Sequence, residues 1–383
     1  MWIKPKPKAI SGIYIHIPFC KQACYYCDFH FSTSLKRKDD LLFTLIKELE
    51  LLKQEINTPI ETIYFGGGTP SILTIKEINL LLSTIYSNYQ VVSTPEITLE
   101  ANPDDLTDDK IIALAKTDIN RLSIGVQSFF DDDLQFMNRA HTSKEALKSL
   151  KTAIKYFDNI TIDLIYGIPN LSIDKWEKNL QITFDLGINH ISSYALTVEH
   201  KTALYQFIKK GKIEPLDENL ALKHFNVLLE KTQQHNYIQY EISNFGKEGF
   251  FSKHNTSYWL GKNYLGIGPS AHSFNGKTRS WNIKNNIKYI KSLENNILPQ
   301  ETEILSENDI FNETVMIGLR TIWGVSLKNI EKKFGKEKRD YLMIKIQKYL
   351  KNKTLIIKDS HIIATQKGKF LIDGIASDLF LVD

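Results

Sequence analysis

The chain has 383 residues, 42% hydrophobic and 24% charged, enough for a large core and, at roughly 150 residues per domain, for two or three domains unless one is a barrel. Its 48 lysines and arginines against 44 aspartates and glutamates give a net charge of +4, interspersed except for short basic stretches at 36–38 and 332–338, which argues against a nucleic-acid binder. No run reaches the roughly 18 apolar residues of a spanning helix. The opening MWIKPKPKAI leads into a stretch broken by His16 and Pro18 with no small-residue cleavage site, so the expected compartment is the cytoplasm, with peripheral membrane contact left open.

The first apolar run, GIYIHI (12–17), leads into CKQACYYC, which holds all three cysteines, Cys20, Cys24 and Cys27. Thiolates at this spacing can hold three irons of an iron-sulfur cube and leave the fourth without a protein ligand. A structural zinc completed by His16 or His30 is the alternative, although zinc sites more often use two separated ligand pairs. Buried free thiols explain three cysteines in a polar loop poorly. A disulfide fits an odd number in a reducing compartment worse still.

From here short apolar runs alternate with longer amphipathic stretches, the pattern of β/α units on a parallel sheet. The runs are TIYFGGG (62–68), EITLEAN (96–102), RLSIGVQ (121–127), TIDLIYG (161–167) and HISSYAL (190–196), with YIQYEIS (237–243) as a possible seventh. Helices are expected over 38–55, 74–87, 107–117, 143–156, 172–186 and 217–234. Six or more such units imply an α/β fold built on a complete or partial barrel. Cys20, glycines 66–68, Glu100, Gln127 and Asp163 all fall at or just beyond the C-terminal ends of their runs, which in a barrel converge on one mouth. Taken singly, Glu100 could cap a turn, Asp163 could be a satisfied buried acid and Gln127 could tie loops. GGGTPS (66–71) lacks the lysine and spacing of a nucleotide phosphate loop. It could form a tight turn, or let backbone amides hold a carboxylate or amino-acid moiety.

After residue 240 the character changes. HNTSYW (254–259) sets His254 among aromatic residues, and GKNYLGIGPSAHSF (261–274) ends near His272. An imidazole beside aromatic faces suits a flat apolar ligand such as a porphyrin, although an ordinary loop histidine is equally compatible. From about 306 the pattern is helical to Leu350, with a break at 324–327, followed by two short apolar runs and a final apolar segment. Helices followed by a hairpin suggest a small winged-helix-like α+β module, its last segment docking on the core. The expected domains are 1–240 (core), 241–300 (connecting region) and 301–383 (C-terminal module).

YIHIPFCKQACYYCDF, FGGGTPS, GVQSF and DLIYGIP together resemble the radical S-adenosylmethionine (SAM) superfamily over the first 280 or so residues, in the branch containing oxygen-independent coproporphyrinogen III oxidase. HNTSYW is similar to the HNxxYW signature of the heme chaperones of that branch. The resemblance implies a partial barrel of the radical SAM type carrying a 4Fe-4S cluster on Cys20, Cys24 and Cys27, whose open iron chelates S-adenosylmethionine. Tyr14 and Tyr26 would lie beside that cofactor, and Gly67, Gly68 and Thr69 would bind its methionine end. Glu100, Gln127, Arg139, Asp163 and Ala195 would complete its surroundings; Arg139 could equally be a solvated helix-end charge. His254 would be the candidate heme ligand. The oxidase has a further cysteine where this chain has Phe29, and a longer segment before the YxHIPFC motif, where thirteen residues precede Tyr14 here. Both departures point to a heme chaperone that passes heme to respiratory proteins, possible as a homodimer, rather than to an enzyme of porphyrin biosynthesis that oxidatively decarboxylates coproporphyrinogen III.

Overall fold

Alternation along the strands decides how the sheet is used, because successive side chains of a strand point to opposite faces. The computed structural model describes residues 11–382, so MWIKPKPKAI lies outside the described residues. The parallel strands are β1 (Ser11–Ile17), β2 (Ile60–Gly67), β3 (Val91–Ala101), β4 (Arg121–Gln127), β5 (Ile160–Tyr166) and β6 (His190–Ala195), paired side by side in chain order. Ile13, Ile15, Ile17, Ile63, Phe65, Ile97, Leu99, Leu122, Ile124, Ile162 and Ile191 are wholly buried on one face, in a single apolar core with the connecting helices. Those helices are α1 (Lys38–Leu51), α2 (Ile75–Asn88), α3 (Asp108–Leu114), α4 (Asp131–Phe136), α5 (Ser143–Ala153) and α6 (Ile173–Asp185). Capping boxes at Thr74/Glu77 and Thr142/Glu145 satisfy orphan amides and set where α2 and α5 begin.

The alternate positions form a polar inner face. Thr62, Glu96, Thr98, Glu100, Arg121, Ser123, Gln127, Thr161, Asp163, His190 and Ser192 lie there, joined by bonds such as His190 Nδ1 to Thr161 Oγ1 at 2.9 Å and His190 Nε2 to Tyr240 Oη at 2.7 Å. Glu96 and Arg121 form a buried ion pair at 4.0 Å.

The expected seventh parallel strand is not formed. After α7 (Ala203–Lys209) and α8 (Glu218–Gln234), β7 (Ile238–Gln239) and β8 (Asn244–Gly246) make a short antiparallel ribbon on β6. The chain turns back inside YIQYEIS, where the Asn244 carbonyl accepts from the Tyr240 amide and the Glu241 carboxylate accepts from the Ser243 amide. On the other side, α9 (Lys253–Trp259) precedes β9 (Tyr264–Ile267), which pairs parallel to β1. β10 (His272–Phe274), β11 (Thr278–Asn282) and, after α10 (Asn286–Glu294), β12 (Gln300–Ile304) extend the sheet antiparallel. The parallel strands therefore form part of a barrel that stays open between β7 and β12.

The C-terminal module has its own core, centred on Phe311, Val315, Ile330, Leu342, Leu355 and Ile362. It comprises α11 (Glu307–Leu319), β13 (Val325–Ser326), α12 (Leu327–Lys345), α13 (Gln347–Lys351), the hairpin β14 (Leu355–Lys358) and β15 (His361–Ala364), α14 (Gln366–Lys369) and α15 (Ile372–Asp378). It docks through an Ile322 amide to Tyr240 carbonyl bond of 3.1 Å and an Arg279–Glu313 ion pair.

Candidate functional site

The loop from β1 to α1 carries the three cysteines and is tied down at both ends. Cys20 donates its amide to the Ser32 carbonyl at 3.1 Å, Tyr25 to Met137 at 3.1 Å, and the Asn138 side chain to the Ala23 carbonyl at 2.7 Å. All three thiols are free and partly exposed, on the wall of a cavity of about 900 Å³ over the C-terminal ends of the parallel strands. Thr69 Oγ1 donates to Cys20 Sγ and Arg139 Nη1 to Cys24 Sγ, each at 3.4 Å. Burial pushes the Cys20 thiol up and the Cys27 thiol to about 12, so ligation rather than the free protein must draw off their protons. Among the described residues no three histidine, cysteine or acidic side chains converge tightly enough for one metal ion. The ligands of a tetrahedral zinc would lie about 4 Å apart. Three free thiols on the wall of one open cavity leave room for a multi-iron cluster.

The same cavity gathers Tyr26, Gly67, Gly68, Thr69, Glu100, Gln127, Arg139, Asp163 and Ala195, which come from the cysteine loop, β2 to β6 and the α4–α5 loop. Arg139 is no solvated helix-end charge. Its Nη2 donates to Asn102 Oδ1 at 2.7 Å and to the Gly125 carbonyl at 2.9 Å, and Asn102 in turn donates to Thr69 Oγ1 at 3.2 Å. Burial pushes the Glu100 carboxyl up to about 7, opposed by donation from Tyr64 and raised further by Asp163. Asp163 is pushed up to about 6 by burial, opposed by the Ser192 hydroxyl that donates to it and by the positive charge of Arg121. Gln127, at the end of β4 on the cavity wall, sits at φ +66°, a costly conformation for a side-chain-bearing residue.

At three of the expected positions the geometry gives the groups partners or surroundings within the fold. Gly67 gives its amide to Glu100 Oε2 at 3.2 Å and Gly68 gives its amide to the Ile17 carbonyl at 2.9 Å, so both amides have partners within the fold while the glycines line the cavity. Glycine is needed there because a Cβ at Gly67, at φ +108°, would lie 2.6 Å from the His16 ring, and one at Gly68 2.6 Å from the Phe19 carbonyl. Tyr14 does not line this cavity with Tyr26; it faces a second one of about 470 Å³, which shares Asp28, Phe29, Gly67 and Glu100 with the first.

His254 is the third. Glu96 accepts the amides of Lys253 and His254 at 3.1 and 3.0 Å, which anchors the start of α9 to the inner face. The His254 ring is buried, with Nδ1 on Thr62 Oγ1 at 2.7 Å and Nε2 on Tyr258 Oη at 2.8 Å, and it stacks on Tyr64 at 4.8 Å. Burial lowers its pKa to about 3. Neither nitrogen is free for an iron; the ring holds Tyr258 in place.

Three contributors were not anticipated. Asn102 ended a strand run in an amide, a visible but ambiguous signal. Arg320 and Lys369 reach the cavity from the C-terminal module, and no local pattern marks them, because only docking brings them there.

The radical SAM superfamily model matches residues 14–182, and the HemN C-terminal domain model matches residues 305–371. The chain is 35% identical to the heme chaperone HemW of Bacillus subtilis, over 94% of this chain and 97% of that protein. It is 33% identical to the heme chaperone HemW of Lactococcus lactis, over 95% and 98%. Its fold is similar to that of the Escherichia coli coproporphyrinogen III oxidase HemN, with a TM-score of 0.83 over 97% of this chain and 90% of that one at 22% identity.

Proposed function

Since the chain belongs to the HemW family of the radical SAM superfamily, we propose that it is a heme chaperone that binds heme and hands it to respiratory proteins. In this reading Cys20, Cys24 and Cys27 hold a 4Fe-4S cluster and the 900 Å³ cavity takes S-adenosylmethionine. The observation that carries the cofactor reading is the convergence of three free thiols, the Thr69 and Arg139 donors on two of them, and two half-buried carboxylates on that single cavity.

When bound, the cluster supplies an iron that can chelate the cofactor and pass it an electron. The chain's own residues do the rest. Arg139 sets a guanidinium against Cys24, which offsets the negative charge of a ligating thiolate. Glu100 and Asp163 are disfavoured as anions by burial, and a ligand bearing an ammonium and a sulfonium would stabilise them in the charged form. Phe29, at the position where the oxidase resemblance requires a thiol, is 68% exposed beside the cavity and has no acid–base chemistry to offer. That supports delivery over decarboxylation.

The test is one anaerobic preparation assayed twice, by heme titration and by incubation with coproporphyrinogen III, S-adenosylmethionine and reductant. Stoichiometric heme binding with no protoporphyrinogen formed is expected. Formation of protoporphyrinogen would overturn the chaperone reading in favour of the oxidase.

A further inference from the structure

The second cavity lies between β1, the end of the cysteine loop, α9 and the β9–β10 turn, and its volume of about 470 Å³ falls within the range of small-molecule sites. Tyr14, Tyr258 and Tyr264 supply aromatic faces, with Tyr258 and Tyr264 edge to face at 4.6 Å. Three imidazoles line it. His16 is committed, with Nε2 on the His30 carbonyl at 2.8 Å and Nδ1 on Tyr14 Oη at 3.3 Å. His30 is half committed, through Nε2 on Asn286 Oδ1 at 2.6 Å. His272, at the start of β10, is exposed, and its ring has no hydrogen bond among the described residues; its neighbour is the Trp281 ring at 6.1 Å.

An imidazole with both nitrogens free, beside aromatic faces, is equipped to ligate a metal. The cavity has no second and third ligand converging on the same point, since no such trio exists among the described residues. A bare ion would be held poorly by one imidazole, whereas iron that arrives with four nitrogens of a macrocycle needs only an axial ligand. Lys284 at the rim donates to the Asp28 carbonyl at 3.3 Å and has no carboxylate within ion-pair distance among the described residues. Its ammonium is free to meet a propionate.

We propose that this second cavity is the heme site, with His272 as the axial ligand, Tyr258 and Tyr264 against the macrocycle and Lys284 on a propionate. The inference rests on the heme-binding reading above and adds the place and the ligand. It gives HNTSYW a positioning role: His254 fixes Tyr258, which lines the cavity. Because Asp28, Phe29, Gly67 and Glu100 border both cavities, heme would sit across one wall from the cofactor site without using its thiols.

The experiment is hemin titration of the full chain after anaerobic reconstitution, followed by absorption and electron paramagnetic resonance. His272→Ala is expected to weaken binding at least tenfold and abolish the histidine-ligated spectrum, and added imidazole is expected to restore the spectrum. Lys284→Glu should weaken binding several-fold with the spectrum unchanged, and Cys20→Ser should change neither. His272 is exposed and without a hydrogen bond, so its loss should leave thermal unfolding unaltered, and His272→Gln provides a polar control. An unchanged spectrum and affinity in His272→Ala, or transfer of the effect to His30→Ala, would overturn the assignment while leaving heme binding intact. Absence of heme binding in the parent protein would instead remove the heme reading and this site with it.

Discussion

Replacing His254 separates a structural role from a ligand role. In His254→Ala the Thr62 and Tyr258 hydroxyls each lose a buried partner, at about 1–3 kcal/mol per group. The stack on Tyr64 at 4.8 Å is lost as well, so the total should be about 3–5 kcal/mol. His254→Phe keeps the stack and should recover part of that. The ring also makes stability depend on pH. With a folded pKa of about 3 against an unfolded value near 6.5, the native state resists protonation, so its contribution is present above 6.5 and is lost as pH falls toward 3. Between pH 7 and pH 5 that loss amounts to about 2 kcal/mol in the parent and should vanish from the slope of His254→Phe. Urea unfolding followed by tryptophan fluorescence at the two pH values measures both quantities. An alanine variant within about 1 kcal/mol of the parent, with the same pH slope but an altered heme spectrum, would refute this reasoning and return His254 to the role of iron ligand.

Cys24→Ser should lower iron and sulfide after reconstitution from about four per chain to a small fraction, measured by metal and sulfide analysis; a full cluster in that variant would sink the assignment. Gly68→Ala places a Cβ 2.6 Å from the Phe19 carbonyl and 2.8 Å from the Ile17 carbonyl, and should cost about 1–3 kcal/mol and impair cluster loading. Gly374→Ala, in α15 with nothing within 4 Å, should instead be neutral or slightly stabilising in the same thermal melts. Glu48 is buried against the Gly268 amide, Asn282 and Tyr289, and burial raises its pKa to about 7. Its contribution is therefore largest below the unfolded value near 4.5 and falls by about 2 kcal/mol between pH 5 and pH 7.5, a slope that Glu48→Gln should flatten.

The strand ends were readable because a buried parallel strand tolerates polar residues only where they have partners, so Glu100, Gln127 and Asp163 stood out from their apolar runs. The alternation was also present in the letters: Glu96, Thr98 and Glu100 take every second place in EITLEAN, as do Arg121, Ser123, Gly125 and Gln127 in RLSIGVQ. Reading these as apolar runs obscured a continuous polar inner face, part of which serves the cofactor cavity and part of which carries α9. Which part a residue joins depends on its height along the strand and on its neighbours across the sheet, and neither is a local property.

By itself the sequence determined the β/α order, the cysteine loop and the set of groups that meet at the strand ends, because strand period, helix caps and ligand spacing are all set within a few residues along the chain. Only the tertiary structure decided where Tyr14 and His254 went. Tyr14 lies on the inner face of β1, and the pairing of that strand with β2 and β9 turns it toward the second cavity. His254 looked available in HNTSYW because its partners, Thr62 and Glu96, are more than 150 residues away. Once the chain brings a buried imidazole two hydrogen-bond partners and an aromatic face, freeing it costs more than a loop motif can reveal, and the accessible imidazole is His272 instead.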